Sequence, residues 1–254
     1  MIDELQCYVI NLDRSKKRMS KFSKAFSGAN LKVERIAAVD GNLINIESFA
    51  DDYLCRKEMG RSIQPGEVGC FLSHKKALER FLSTDSKYAI IFEDDAIPVD
   101  DFKATLESVI EKFLQNNKKT AAINLGALDF KYSSPVMPIK NNILRCAHRF
   151  PMLATAVLWT RSGADRFLEH ASSVTMPYDN FLRSLFSGTN SVFSIQPPII
   201  YSSGIESDIE QRNATQRRST QNRSKFYFFI KQRRILRDKF RAIGGYSFWL
   251  FKKH

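Results

Sequence analysis

Three consecutive carboxylates, Glu93, Asp94 and Asp95, close an apolar run that reads Tyr-Ala-Ile-Ile-Phe from Tyr88. Adjacent anions repel, and a structure that holds three together commonly places a cation between them. Carboxylate oxygens are hard ligands and suit Mn²⁺ or Mg²⁺ shared with a phosphate better than zinc. A solvated acidic turn is the other reading; the strand-like run before the acids and Pro98 after them favour a metal site. Arg14 and Arg18 lie one helical turn apart, so both guanidinium groups can grip a diphosphate with forked hydrogen bonds, or form only a solvated basic helix face. His74 sits on an apolar helical stripe, where a hydrogen-bonded core histidine is the commoner reading and a group aimed at the carboxylates the sharper one. Asp179, behind Pro177, falls in a first helical turn where the helix dipole favours its ionised form; capping and general-base roles both suit that place.

These residues need a scaffold, and the hydrophobic pattern supplies one. Gln6–Leu12 reads as a strand, followed by a polar turn and a helix carrying Met19, Phe22 and Phe26. Leu31–Val39 reads as a second strand, giving a β-α-β start of the kind found in nucleotide-binding half-domains. Residues 42–64 are polar and without period. From Pro65-Gly66 a helix begins, with Val68, Phe71, Leu72, Leu78, Phe81 and Leu82 on one stripe. The run ending at the acids reads as a buried central strand, and ligand crevices of open α/β sheets lie at the carboxyl ends of such strands. Asp100-Asp101 is an expected N-cap for a helix buried through Phe102, Leu106, Val109, Ile110 and Phe113. Further strands are expected over Thr120–Gly126, Leu153–Thr160, and the pair Ser191–Gln196 and Ile199–Tyr201. Residues 129–150 read as a loop or hairpin, and Ser162–His170 as a capped helix.

With 254 residues and 43% hydrophobic content, the chain has enough apolar material for one sizeable core. Its net charge of +12 is confined to one end. Residues 1–211 carry 26 Lys and Arg against 26 Asp and Glu, whereas residues 212–254 carry 13 against the single Asp238. The body is 1–211 and the attachment 212–254, in which Phe226, Phe229, Ile230, Leu236, Phe240, Ile243, Trp249 and Phe251 alternate with cations. That mixture suits the interface of an anionic membrane, or a packed helix, better than a nucleic-acid arm, so no nucleic-acid partner is expected. Cys7, Cys55, Cys70 and Cys146 are widely spaced, which indicates neither a zinc knuckle nor a disulfide framework. The start Met-Ile-Asp-Glu-Leu lacks the features of a signal peptide, and a reducing cytoplasm is the expected compartment.

In order along the chain, Val9-Ile-Asn-Leu-Asp-Arg-Ser15 with Arg18, Pro65-Gly-Glu-Val-Gly-Cys-Phe-Leu-Ser-His74 and Ile91-Phe-Glu-Asp-Asp-Ala96 resemble the family 25 glycosyltransferases. Weaker matches follow at Thr155-Ala156, Ser162-Gly-Ala164, Pro177-Tyr-Asp179, and Pro198 through the Ser203–Ile209 loop, so the resemblance spans about residues 6–210. It implies an α/β, GT-A-like nucleotide-sugar fold with a mixed, mostly parallel central sheet flanked by helices, to which the basic helical tail is added. It also implies a UDP-sugar donor, Mn²⁺ or Mg²⁺, and a lipooligosaccharide or lipid-linked oligosaccharide acceptor. Asn11, Leu12, Arg14 and Arg18 would then contact the nucleotide, with Glu93-Asp94-Asp95 as the acidic motif and Asp95 and Glu93 as metal ligands. Asp179 would be the catalytic base of an inverting transfer, with His74 in reserve. The family typically shows Pro-Val-Asp where this chain has Pro-Tyr-Asp, which alters the pocket beside Asp179. Galactose is the expected sugar; glucose or N-acetylglucosamine donors and a metal-dependent phosphohydrolase are the alternatives. The expected location is the cytoplasmic face of a bacterial inner membrane, bound peripherally.

Overall fold

Runs in which every residue is apolar must be covered on both faces, and β3 (Tyr88–Glu93) meets that demand: Ala89 through Phe92 are all fully buried. The computed structural model describes residues 4–128, 131–203 and 223–253. Along the chain β1 (Leu5–Asn11), α1 (Lys16–Ala25), β2 (Val33–Ala37), α2 (Asp52–Met59) and α3 (Pro65–Leu82) precede β3. After it come β4 (Ala96–Pro98), α4 (Phe102–Lys112), β5 (Ala122–Asn124), β6 (Ser133–Ile139), β7 (Asn142–Ala147) and β8 (Ala156–Thr160). Helices α5 (Arg161–His170) and α6 (Tyr178–Phe186), strands β9 (Val192–Gln196) and β10 (Ile200–Ser202), and helix α7 (Tyr227–Lys253) complete the order.

Eight strands form one mixed sheet in the order β2-β1-β3-β8-β5-β9-β7-β6, and β4 pairs with β10 in a small second sheet. Because strand side chains alternate, each central strand feeds two cores. Tyr8, Ala89, Ile91, Val157 and Trp159 face the side covered by α3, α5 and α6, while Val9, Ile90, Phe92, Ala156 and Leu158 face α1 and α4.

Four expectations need correction. The sheet is not mostly parallel: β1–β2, β1–β3 and β5–β9 are parallel, whereas β3–β8, β5–β8, β7–β9 and β6–β7 are antiparallel. A strand buried on both faces carries no alternation to betray its direction, so Ala156–Trp159 reads alike either way. The segments Ser191–Gln196 and Ile199–Tyr201 are both strands but do not pair with each other, since β9 joins β5 and β7 while β10 joins β4. Residues 42–64 hold a helix, α2, capped by Asp51 accepting from the Leu54 amide at 2.8 Å and ended by Gly60 at φ 71°. Asp101 occupies the N-cap of α4 without a side-chain cap bond, its carboxylate instead accepting from the Thr105 hydroxyl at 3.3 Å. The Ser203–Ile209 loop lies outside the described residues from position 204 onward.

Helix α7 lies against the body. Its inward residues are mostly small or polar, with Trp249 packed on the core: Ala242 and Asp238 are buried, and Gly245 lies so close to Gly188 that a Cβ there would stand 2.8 Å from the Gly188 Cα. Arg237 pairs with Glu58 of α2 at 2.8 Å, and Asn190 donates to the Gly245 carbonyl at 2.8 Å.

Candidate active site

Parallel pairing sets Ile10 opposite Glu93, which brings the ends of β1 and β3 side by side and places Asn11 beside Asp94. Asn11 Nδ2 donates to Asp94 Oδ2 at 2.6 Å, and Arg18, in the first turn of α1, donates from Nε to Asp94 Oδ1 at 2.8 Å. Asp94 is therefore held by an amide and a guanidinium. Burial nonetheless outweighs these partners and raises its carboxyl above the ordinary range. Arg14 pairs with Asp40, just past β2, and is more exposed than Arg18. Arg18 extends from the first turn of α1 and Arg14 from the turn before it, so the two do not share the helical face that their spacing suggested, and they take different partners at the carboxyl ends of the strands. Leu12 opens the turn that carries Arg14, its carbonyl accepting from the Ser15 amide at 2.8 Å.

Asp95 begins the turn into β4. Its Oδ2 accepts from the Ser202 hydroxyl at 2.8 Å and its carbonyl from the Ser203 amide at 2.8 Å, so the end of β10 is tied to the acidic motif. Oδ1 is buried and has no hydrogen-bond partner among the described residues. Burial first, then the negative charge of Glu93, raises the Asp95 carboxyl. An orphaned carboxylate oxygen beside a second carboxylate is the local chemistry that a divalent cation satisfies, and the donors Asp95 and Glu93 fit a hard metal ion.

On the other side of Glu93 stands α3. His74 Nε2 is 3.7 Å from Glu93 Oε1, and the ligand atoms of Cys70, His74 and Glu93 lie within 4.8 Å of one another. Cys70 and His74 are one helical turn apart, which points both at the same strand end. Burial, followed by Glu93 and Asp179, holds the Cys70 thiol in its neutral form. The His74 ring stacks on Tyr178 with centroids 3.7 Å apart and planes 11° off parallel. Ser73 faces away from the crevice: it accepts from the Val39 amide at 2.8 Å and donates to the Gly69 carbonyl at 2.6 Å, which fastens α3 to the end of β2.

Asp179 enters from a third element, the first turn of α6. Its Oδ2 accepts from the Leu153 amide at 3.2 Å. Burial and then Glu93 raise its carboxyl, against the opposing pull of that bond and of His74. A carboxylate so placed is a proton acceptor poised above the usual acid range.

Two further contributors were given no role from the sequence, the second being noted there only as a departure from the family's pattern. Leu153 adopts φ 78°, a left-handed conformation costly for a leucine, and is fixed by its bond to Asp179 and by Asn124 Nδ2 donating to its carbonyl at 3.1 Å. No sequence signal announces it. Tyr178 stands where the resemblance leads one to expect valine; it is buried, and its hydroxyl has no partner among the described residues. The departure from Pro-Val-Asp was its signal.

The arrangement gathers Asn11, Arg18, Glu93, Asp94, Asp95, His74 and Asp179 around one strand end, with Arg14 at the rim. Cations flank one side, acids with an unsatisfied oxygen occupy the centre, and a separate carboxylate faces them.

Family 25 glycosyltransferases are known proteins that this chain resembles in sequence. Residues 4–182 match the family described as glycosyltransferase family 25 (LPS biosynthesis protein). Among curated relatives, a probable inactive glycosyltransferase 25 family member 3 of Rattus norvegicus is 28% identical over 132 residues, covering 48% of this chain and 22% of the relative. Procollagen galactosyltransferase 2 of Mus musculus is 23% identical over 199 residues, covering 72% of this chain and 30% of the relative. The chain thus spans less than a third of the length of these relatives. Two solved structures were also found. One is a glycosyltransferase involved in glycosylation of the major capsid of PBCV-1 (TM-score 0.41, 6% identity, 84% of this chain and 98% of that one). The other is S. aureus TarS (TM-score 0.45, 9% identity, 78% and 60%). The match over residues 4–182, together with the acidic strand end and the helices that face it, makes this chain a member of glycosyltransferase family 25.

Proposed function

We propose that the chain is an active, GT-A-like transferase that moves a sugar, galactose in the first instance, from a UDP-sugar to a lipooligosaccharide or lipid-linked oligosaccharide acceptor with inversion. The observation that carries this reading is the convergence on Glu93 of three separate elements: the strand end with the orphaned Asp95 Oδ1, helix α3 with His74, and helix α6 with Asp179. Galactose is favoured by the procollagen galactosyltransferase among the relatives, and the saccharide acceptor by the family's description.

Asp95 and Glu93 would hold Mn²⁺ or Mg²⁺. When bound, the ion would neutralise charge on the departing diphosphate. Arg18 stands beside the acids and Arg14 at the rim, where their guanidinium groups can take phosphate oxygens in exchange for Asp94 and Asp40. Asn11 orients Asp94 and, with Leu12, shapes the turn on which the nucleotide would rest. Asp179 takes the acceptor hydroxyl's proton from a helix separate from the nucleotide side, as inversion requires. His74, clamped by Tyr178, holds Glu93 from behind.

The test is a panel of UDP-galactose, UDP-glucose and UDP-N-acetylglucosamine with Mn²⁺ and saccharide acceptors, the product linkage being read by NMR. Acceptor-dependent UDP release with UDP-galactose and a β-linked product is expected. Release with no acceptor dependence would instead indicate a hydrolase, and none with any donor would defeat the proposal.

A further inference from the structure

Helix α7 turns most of its large apolar side chains away from the body. At 100° per residue, Phe229, Leu236, Phe240, Ile243, Leu250 and Phe251 all fall within about 60° of the direction opposite Asp238, Ala242 and Gly245, the residues that face the body. Phe240 is 71% and Phe251 84% exposed. Apart from Trp249, which packs on the core, small and polar residues point inward, while a row of large apolar side chains points outward along a helix about 40 Å long. Such a face on a protein surface marks a contact with something apolar.

Its charge identifies the occupant. Helix α7 carries eight Lys and Arg against the one Asp238, and Asp238 is buried among Arg149, Arg183, Arg234 and Arg237, where it offers nothing to the outside. Lys225 and Lys239 border the apolar row, whereas Arg233 turns to α2, donating to the Lys57 carbonyl at 3.0 Å. A second copy docked through this face would bring like charges together, and a nucleic acid would leave the phenylalanines in water. No helix among the described residues is long and apolar enough to cross a membrane. We propose that α7 lies in the interface of an anionic phospholipid membrane, its aromatic row among the acyl chains and its bordering cations at the headgroups.

Helix α7 is also bonded to the element that carries Asp179. Arg234 donates to Asn180, and Arg241 donates to the Ser184 carbonyl at 3.0 Å. Docking would thus set α6 at a fixed height above the lipid. This inference does not depend on the donor or on catalysis, and its test uses neither.

Co-sedimentation of the full chain with phosphatidylcholine vesicles, with and without phosphatidylglycerol, tests it. Binding to the anionic vesicles is expected, weakening as salt rises. Phe229→Ser/Phe240→Ser/Phe251→Ser should abolish it while far-ultraviolet dichroism stays unchanged. Should that variant unfold, Lys225→Gln/Lys239→Gln serves instead; near such a surface each cation is worth about fivefold in affinity, so about a tenfold or greater loss is expected. No preference for anionic vesicles, or unchanged binding by these variants, would overturn the proposal. A dimer that dissociates in the serine variant, with vesicles ignored by the parent chain, would give the face to a second copy instead.

Discussion

At the scale of residues, the site is defined by carboxylates held in an unfavourable state. Asp94, Asp95 and Asp179 all have raised carboxyl groups, burial being the first cause in each. A carboxyl whose pKa is higher folded than unfolded binds more protons in the native state between those two values. Stability from these groups therefore falls as pH rises through that window, from the ordinary Asp range up to the raised folded values. Asp179→Asn removes one such charge while keeping the shape. We expect it to lower turnover at least ~10²-fold as a lost base, to leave UDP affinity intact, and to raise the melting temperature at neutral but not at acidic pH. A fall in UDP affinity would place Asp179 in the donor site. The types and spacing of these residues were legible in the chain. Which acid would be tied up and which left open was not: Asp94 and Asp95 are chemically identical neighbours, told apart only by Asn11 and Arg18 on one side and Ser202 on the other.

At the scale of elements, the site depends on how closely α3 approaches the sheet. A Cβ on Gly69 would stand 2.5 Å from the Val39 carbonyl oxygen and 2.7 Å from the Gly41 amide nitrogen. With Ser73 bonded to the Val39 amide on the next turn, this contact fixes the helix that carries Cys70 and His74. Gly69→Ala should push α3 outward, costing about 1–3 kcal/mol of stability as overpacking does. Activity should fall more than that loss of folded protein explains, which thermal melting and turnover on one sample can check. An unperturbed melting temperature would mean that the approach is less constraining than the contact implies. Most of these elements could be read from the sequence. The helix from Pro65 was visible in its stripe of Val68, Phe71, Leu78 and Phe81, all now fully buried. By contrast α2, only eight residues long, turns too few times to show a period and announced itself only through Asp51 and Gly60. Strand direction in the middle of the sheet was hidden, because fully buried runs look the same parallel or antiparallel.

For the whole molecule, the division of charge seen in the sequence becomes a division of labour between a neutral α/β body and a cationic helix laid across it. The helix is joined to that body through Glu58, Asn180, Ser184 and Asn190. The sequence showed the cations and the aromatics of this tail. It did not show which face would turn inward, because that depends on Gly188, Glu58 and Asn180, which lie far away in the chain. On the function proposed above, the strand end holding Glu93 and Asp95 is where a UDP-sugar is consumed. The most direct measurement is acceptor-dependent UDP release from UDP-galactose with Mn²⁺ by the parent chain and by Asp95→Ala, side by side, with folding checked by dichroism. Removing leaving-group stabilisation should lower turnover at least ~10²-fold in a folded Asp95→Ala protein. Asp95→Ala turning over at the parental rate would contradict the account and move the reaction to another part of the molecule.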